Sequence, residues 1–135
     1  MAKSIRLLAG DQEEETSLFT TNEVDSSDNI ISLNAIIGGP KQAGLTEAWI
    51  GGRRIFKDKK GSFKNEPIDT NKNLDGKTLS VFTVVTDSIE EDENYTEVHY
   101  DLTGGVGEVH TTLSKKVSQQ GDSVYYKFEV FFFKI

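Results

Sequence analysis

A chain of 135 residues, 36% hydrophobic and 27% charged, has the size and composition of one globular domain rather than of a disordered segment. Its formal net charge of −7 argues against nucleic-acid binding through the phosphates. No apolar run approaches the ~18 residues of a membrane-spanning helix, and the lack of cysteine excludes disulfides and thiolate chemistry. We therefore expect residues 1–135 to form a single domain that is not an integral membrane protein.

The N-terminal segment lacks the uninterrupted apolar run of ~7–15 residues that a signal peptide requires, because Arg6 interrupts it. We expect a cytoplasmic protein, or one that is exported without a classical leader or whose leader was removed. Ile5–Ala9 predicts a first strand, and the acidic stretch Asp11–Asp28 predicts a loop around a short Leu18–Phe19 strand. Ile30–Ile37 is apolar on both faces, which is typical of a central strand.

A hairpin is predicted at Leu45–Lys57, because Gly51-Gly52 suits a two-residue turn that needs positive φ. Ser62–Glu66 is expected to return as a short edge strand. In this register the facing pairs are Ile50 with Arg53, Trp49 with Arg54 and Ala48 with Ile55.

This hairpin concentrates basic residues beside a tryptophan, and the sequence offers no stronger candidate for a partner-binding surface. The surface is expected to meet an acidic protein or an anionic ligand, such as a phosphorylated lipid headgroup or a sulfated glycan. The alternative is a solvated strand whose tryptophan packs in the core or pairs with arginine. The candidate residues are Trp49, Arg53, Arg54, Lys57, Lys59 and Lys60.

A candidate calcium loop follows, in which Asp and Asn alternate before Gly76 and so supply oxygen ligands. It resembles the start of an EF-hand loop only in part, because Leu74 or Phe82 stands where a required residue belongs. Asx-rich turns give the same pattern without a metal. The candidate ligands are Asp69, Asn71, Asn73 and Asp75. A second acidic loop, Asp87–Asn94, could serve a calcium site together with Asp25 and Asp28.

A β-branched strand is predicted at Leu79–Thr86, and the remaining residues predict a three-stranded antiparallel meander. Its strands are joined by turns at Gly104–Gly107 and Gln119–Asp122, and alternation places every apolar residue on one side. The predicted facing pairs are Leu102 with Val109, Val98 with Leu113, Val109 with Phe132 and Leu113 with Phe128.

On the polar side of the meander, Asp101 faces His110 and His99 faces Thr112. An Asp–His pair can tune a general base, and Ser114 lies on the same face as a conceivable nucleophile. Such cross-strand pairs usually only stabilise sheets, and two histidines without cysteine argue against a zinc enzyme. We therefore expect no catalytic activity.

These elements predict an all-β, single-domain antiparallel β-sandwich or jelly roll of roughly eight strands, with a closed β-barrel as the alternative. The expected function is a non-catalytic binding module that uses the basic hairpin. Two alternatives stay open: a calcium-dependent membrane- or glycan-binding sandwich, and a self-assembling structural protein. The last is suggested by the apolar second face of the C-terminal strand, Phe131–Ile135, which the domain or a second copy must cover.

Overall fold

A computed structural model of the chain describes residues 16–38, 42–87, 95–117 and 122–135. These residues form nine strands and one short helix. In chain order they are β1 (Ser17–Glu23), β2 (Ile30–Ile37), β3 (Gln42–Ile50), β4 (Arg53–Lys60), β5 (Phe63–Thr70), α1 (Asn71–Leu74), β6 (Thr78–Asp87), β7 (Tyr95–Thr103), β8 (Val109–Lys116) and β9 (Ser123–Phe133).

The strands lie in two packed sheets, with the order β1-β9-β6-β3-β4 in one and β5-β2-β7-β8 in the other. Neighbouring strands are antiparallel except for β1 and β9, which are parallel. Alternate residues of both sheets point into one shared core, where the Tyr100 and Phe128 rings stack with their centroids 4.7 Å apart. The predicted all-β sandwich is therefore confirmed, and the described residues form no closed barrel.

Strand β2 runs over the predicted range and is a central strand, as predicted, because β5 and β7 flank it. Its inward residues Ile31, Leu33 and Ala35 are fully buried. Strand β6 also matches its prediction and lies between β3 and β9. Both strands are rich in β-branched residues, which pack well on a pleated surface.

The prediction of a three-stranded meander is wrong for its last strand. The β7–β8 register is confirmed, since Leu102 pairs with Val109 and Val98 pairs with Leu113. Strand β9, however, crosses to the other sheet and lies between β1 and β6, so that Phe128 pairs with Val81. Alternation specifies which side of a strand is buried, and either sheet can receive that side. The predicted pairs of Val109 with Phe132 and of Leu113 with Phe128 therefore do not form.

The β3–β4 hairpin keeps two of its three predicted pairs, Ile50 with Arg53 and Trp49 with Arg54. Ala48 faces Phe56 instead of Ile55, because an irregularity in β4 shifts the register by one residue. The strand predicted at Ser62–Glu66 is longer and pairs with β2 in the opposite sheet. The polar loop predicted after it contains α1, where the Thr70 hydroxyl accepts from Asn73 N at 3.2 Å and caps the helix.

The second face of β9 ends in exposed apolar side chains. Phe132 is buried in the core, whereas Phe131 is 36% exposed and Ile135 is 91% exposed. The described residues thus leave this face uncovered, and self-association through it stays a prediction. The predicted strand Ile5–Ala9, the acidic loop after Asp87 and most of the turn at Gln119–Asp122 lie outside the described residues. Within the described ranges, no helix is long and apolar enough to cross a membrane.

Candidate functional site

The outer face of the five-stranded sheet carries several exposed aromatic side chains that sequence reasoning missed. Phe19 of β1 is 61% exposed, Tyr125 of β9 is 77% exposed, and Phe82 of β6 is 37% exposed. All point away from the core, because their neighbours along each strand are buried. We call this surface the aromatic face; it consists of Phe19, Leu45, Trp49, Phe82, Tyr125 and Phe131.

The strand registers place four of these residues in two rows across the sheet. In one row Tyr125 pairs with Val84, and Val84 pairs with Leu45. The other row spans all five strands through successive pairings of Phe19, Glu129, Ser80, Trp49 and Arg54. Phe82 lies between the rows, opposite Lys127 and Glu47, and Phe131 lies beyond the second row, opposite Thr21 and Thr78. Between the rows lies an open groove of about 290 Å³, lined partly by Leu45, Glu47, Phe82 and Tyr125.

Hydrogen bonds and ion pairs hold the polar side chains of this face. The Trp49 indole Nε1 donates to Glu47 Oε2 at 2.9 Å, and the Arg54 guanidinium lies 5.6 Å from the Trp49 ring centroid. Arg54 Nη1 is also 3.7 Å from Glu47 Oε1. These contacts with Glu47 and Arg54 orient the indole ring of Trp49.

The basic residues of the hairpin do not all lie on one face of the sheet, and their role in binding stays a prediction. Arg54 faces outward with Trp49, and Lys60 faces outward opposite Leu45. Arg53 lies opposite the buried Ile50 at the end of the hairpin, on the other side of the strand. Alternation along a strand sends neighbouring side chains to opposite faces, so a run of bases is divided between them.

Lys59 has a structural role. Its register partner is the buried Thr46, so it points towards the space between the sheets. Its Nζ lies 3.0 Å from Glu66 Oε1, and it lies over the rings of Phe56 and Phe63. Lys57, in contrast, is exposed. Of the predicted basic surface, Trp49, Arg54 and Lys60 therefore share the aromatic face.

The predicted calcium loop does not bring its four oxygen-bearing side chains into one solvent-facing set. Asn71 is fully buried, and its amide joins three other segments. Its Nδ2 donates to the carbonyl oxygens of Asn29 at 2.9 Å and Gly104 at 3.0 Å, while its Oδ1 accepts from Asp25 N at 3.2 Å. Asn71 is therefore a structural residue.

The remaining loop residues satisfy one another. Asp69 Oδ1 accepts from Thr70 N at 2.7 Å and from Asn73 Nδ2 at 3.0 Å, and Asp75 follows α1 as its C-cap. Burial alone would raise the pKa of Asp69. The hydrogen bonds from Asn73 and Thr70, with the positive charges of Lys77 and Arg53, outweigh burial and lower that pKa below its ordinary value.

The outer face of the four-stranded sheet carries the predicted Asp–His pair. Asp101 pairs with His110 across β7 and β8, and His99 pairs with Thr112, as the sequence predicted. The hydrogen bond to Asp101, and to a smaller extent the one to Glu108, raises the pKa of His110. Burial works against ionisation of Asp101, but its hydrogen bonds, of which that from His110 is the strongest, lower its pKa.

Comparisons with known proteins find no matching family model, no match among curated proteins and no match among solved structures.

Proposed function

We propose that this chain is a non-catalytic binding module whose aromatic face binds a partner protein. The observation that carries the proposal is the exposure of Phe19, Phe82 and Tyr125 on one sheet face, beside a tryptophan held by arginine. Aromatic residues and arginine are enriched in protein interfaces and dominate their binding energy. Contiguous exposed apolar surface marks interaction sites, and Leu45, Phe82 and Tyr125 line one groove on this face.

The size of the face suits a protein partner. Five strands spaced by ~4.8 Å, with lengths of 7 to 11 residues at ~3.3 Å per residue, make a surface of roughly 24 by 30 Å, or about 700 Å². A standard protein interface buries about 800 Å² on each partner. Small-molecule sites are concave, whereas this face is open, so an extended macromolecular surface is the better fit.

The charge along the β4 edge indicates what the partner presents there. Arg54 is already paired with Glu47, but Lys60 is exposed on the same face and has no ion pair with another described residue. A partner with acidic residues opposite this edge gains attraction, while apolar residues on the partner cover Phe82 and Tyr125. The basic hairpin thus contributes one side of the interface, and the aromatic rings contribute its centre.

The proposal is tested by a double variant, Phe82→Ser with Tyr125→Ser. Its matched control is Tyr95→Ser with Val106→Ser, which removes apolar side chains that are similarly exposed but belong to the other sheet and its turn. Proteins captured from a lysate of the source organism are purified and titrated against each form. We expect wild type and control to bind alike, and the face variant to bind at least ~30-fold more weakly, as for a hot spot above ~2 kcal/mol.

Equal affinity for all three forms of the module would contradict the proposal. Melting temperatures of the variants must stay close to wild type, because a partly unfolded variant loses binding trivially. Sedimentation over a range of protein concentrations tests whether a second copy of the chain covers the aromatic face instead of a partner protein. Wild-type dimers that the face variant does not form would replace the partner protein with a second copy and support the self-assembling alternative.

A further inference from the structure

The outer face of the four-stranded sheet gathers both histidines of the chain around one carboxylate oxygen. His99 Nε2 lies 2.8 Å from Asp101 Oδ1, and His110 Nδ1 lies 2.6 Å from the same atom. The three atoms lie within 4.8 Å of one another. Residues 99 and 101 alternate along β7, and His110 is the register partner of Asp101, so rigid strands present all three side chains on one side.

Each of these side chains is also held from behind. The second nitrogen of His99 lies 2.7 Å from Thr112 Oγ1, and that of His110 lies 2.9 Å from Glu108 Oε1. The other oxygen of Asp101 accepts from Asn34 Nδ2 at 3.3 Å. Metal-binding histidines and carboxylates are oriented in this way, by partners on the atom that does not touch the metal.

We propose that His99, Asp101 and His110 bind a divalent late first-row transition-metal ion such as Zn²⁺. Two imidazole nitrogens and one carboxylate oxygen suit this class of ion, whereas Ca²⁺ and Mg²⁺ prefer oxygen ligands alone. Three protein ligands leave at least one coordination position open to water or to a further ligand. This site lies on the opposite sheet from the aromatic face and does not depend on the proposed binding function.

The donors and acceptors of the cluster all keep a partner when the ion binds. Without metal, His110 lies between two carboxylates that only accept, so both of its nitrogens carry protons. The ion replaces the proton on Nδ1, and Nε2–H still donates to Glu108. On His99 the ion binds Nε2, the proton that Nε2 donated to Asp101 moves to Nδ1, and Nδ1–H then donates to the Thr112 hydroxyl. One proton is released from His110, and no polar group of the cluster loses its partner.

Only small movements are needed to admit the ion. Metal–ligand bonds of about 2.0–2.2 Å in tetrahedral geometry separate the ligand atoms by about 3.3 Å. The contacts of Asp101 Oδ1 with the two histidines must therefore open by about half to three-quarters of an ångström, and the two histidine nitrogens, which lie within 4.8 Å of each other, must approach by up to about 1.5 Å. The side chains of His99 and His110 are 37% and 52% exposed, so they can rotate by this amount and the ion can enter from solvent.

The sequence allows a clean test, because the chain has two histidines and no cysteine. Zn²⁺, and Co²⁺ as a spectroscopic probe, are titrated by calorimetry and by NMR of the imidazole protons into protein that carries no histidine tag. We expect one equivalent to bind and both imidazoles to shift. Addition of Ca²⁺ or Mg²⁺ is expected to leave the imidazole signals in place.

The main variant is His99→Gln with His110→Gln, which keeps all 22 acidic residues and so controls for adventitious carboxylate binding. We expect at least ~100-fold weaker Zn²⁺ binding, and about tenfold weaker binding for Glu108→Gln, which only positions His110. Thermal melts without metal verify that the variants are folded. The proposal is overturned if wild type does not bind millimolar Zn²⁺, or if wild type and the double variant bind it equally.

Discussion

Replacing Asn71 tests whether the Asx-rich loop is a structural joint or a calcium site. Asn71 is fully buried and makes three side-chain hydrogen bonds, to Asn29, Gly104 and Asp25. Its backbone N also donates to the Asn29 carbonyl oxygen at 2.9 Å, so one residue connects the β1–β2 segment to the turn after β7. Asn71→Ala removes the three side-chain bonds and leaves their partners to find water.

The expected cost follows from those contacts. At about 1 kcal/mol net for each hydrogen bond, Asn71→Ala should lower the free energy of unfolding by about 3 kcal/mol. For a domain of this size, that corresponds to a melting temperature about 10 °C lower. The matched control is Asn73→Ala, since Asn73 is exposed and its side chain makes one hydrogen bond, to Asp69. The control should cost less than about 1 kcal/mol.

The assay is urea denaturation followed by circular dichroism, in EDTA and then with calcium. A third variant, Asn71→Asp, separates the two interpretations. It replaces the amide donor by a carboxylate facing two carbonyl oxygens, so a structural role predicts destabilisation in both buffers. A calcium-ligand role predicts instead that Asn71→Asp gains stability when calcium is added. A structural role for Asn71 is refuted if Asn71→Ala lowers the free energy of unfolding no more than Asn73→Ala does in EDTA.

Two further outcomes follow from local geometry. Gly104→Ala should lower the free energy of unfolding by more than ~3 kcal/mol or prevent folding, because φ is +105° and an added Cβ would overlap the Ile30 carbonyl oxygen. The matched control, Gly76→Ala, should lower it by only about 1 kcal/mol, because φ is +81° there but the space is open. Urea denaturation measures both values. The lowered pKa of Asp69 contributes stability above its unfolded value of about 3.9, and this contribution is lost as pH falls through the folded value. Asp69→Asn should therefore flatten the decline of melting temperature between about pH 5 and pH 2, and an unchanged slope would contradict this assignment.

The alternation of apolar and polar residues was sufficient to predict which residues face each other within a single hairpin. The β7–β8 register, and with it the facing of Asp101 and His110, follows from alternation on both sides of a short turn. The pairing of Trp49 with Arg54 follows in the same way from the Gly51-Gly52 turn. A short loop leaves few registers open, so sequence alone determines which of these side chains meet.

The candidate sites required more than local pattern. Aspartate and asparagine look alike as oxygen donors in sequence, and only packing separates the buried Asn71 from the exposed Asn73. The predicted register already places Thr112 opposite His99, whereas the contacts of Glu108 with His110 and of Asn34 with Asp101 become visible only in the structure.

The largest difference between prediction and structure is the position of β9. Alternation shows that Phe128 and Phe132 are buried, but every strand edge offers the same backbone donors and acceptors, so it does not choose the neighbouring strand. That choice depends on how two sheets fill one core, which involves residues far apart in the chain. By crossing to the five-stranded sheet, β9 places Tyr125 diagonally opposite Phe82 of β6 and joins Phe19 of β1 to the same outer face. The sequence by itself therefore determined which side of these strands is buried and how the β3–β4 turn and the β7–β8 hairpin pair, whereas tertiary packing decided which strands assemble the aromatic face.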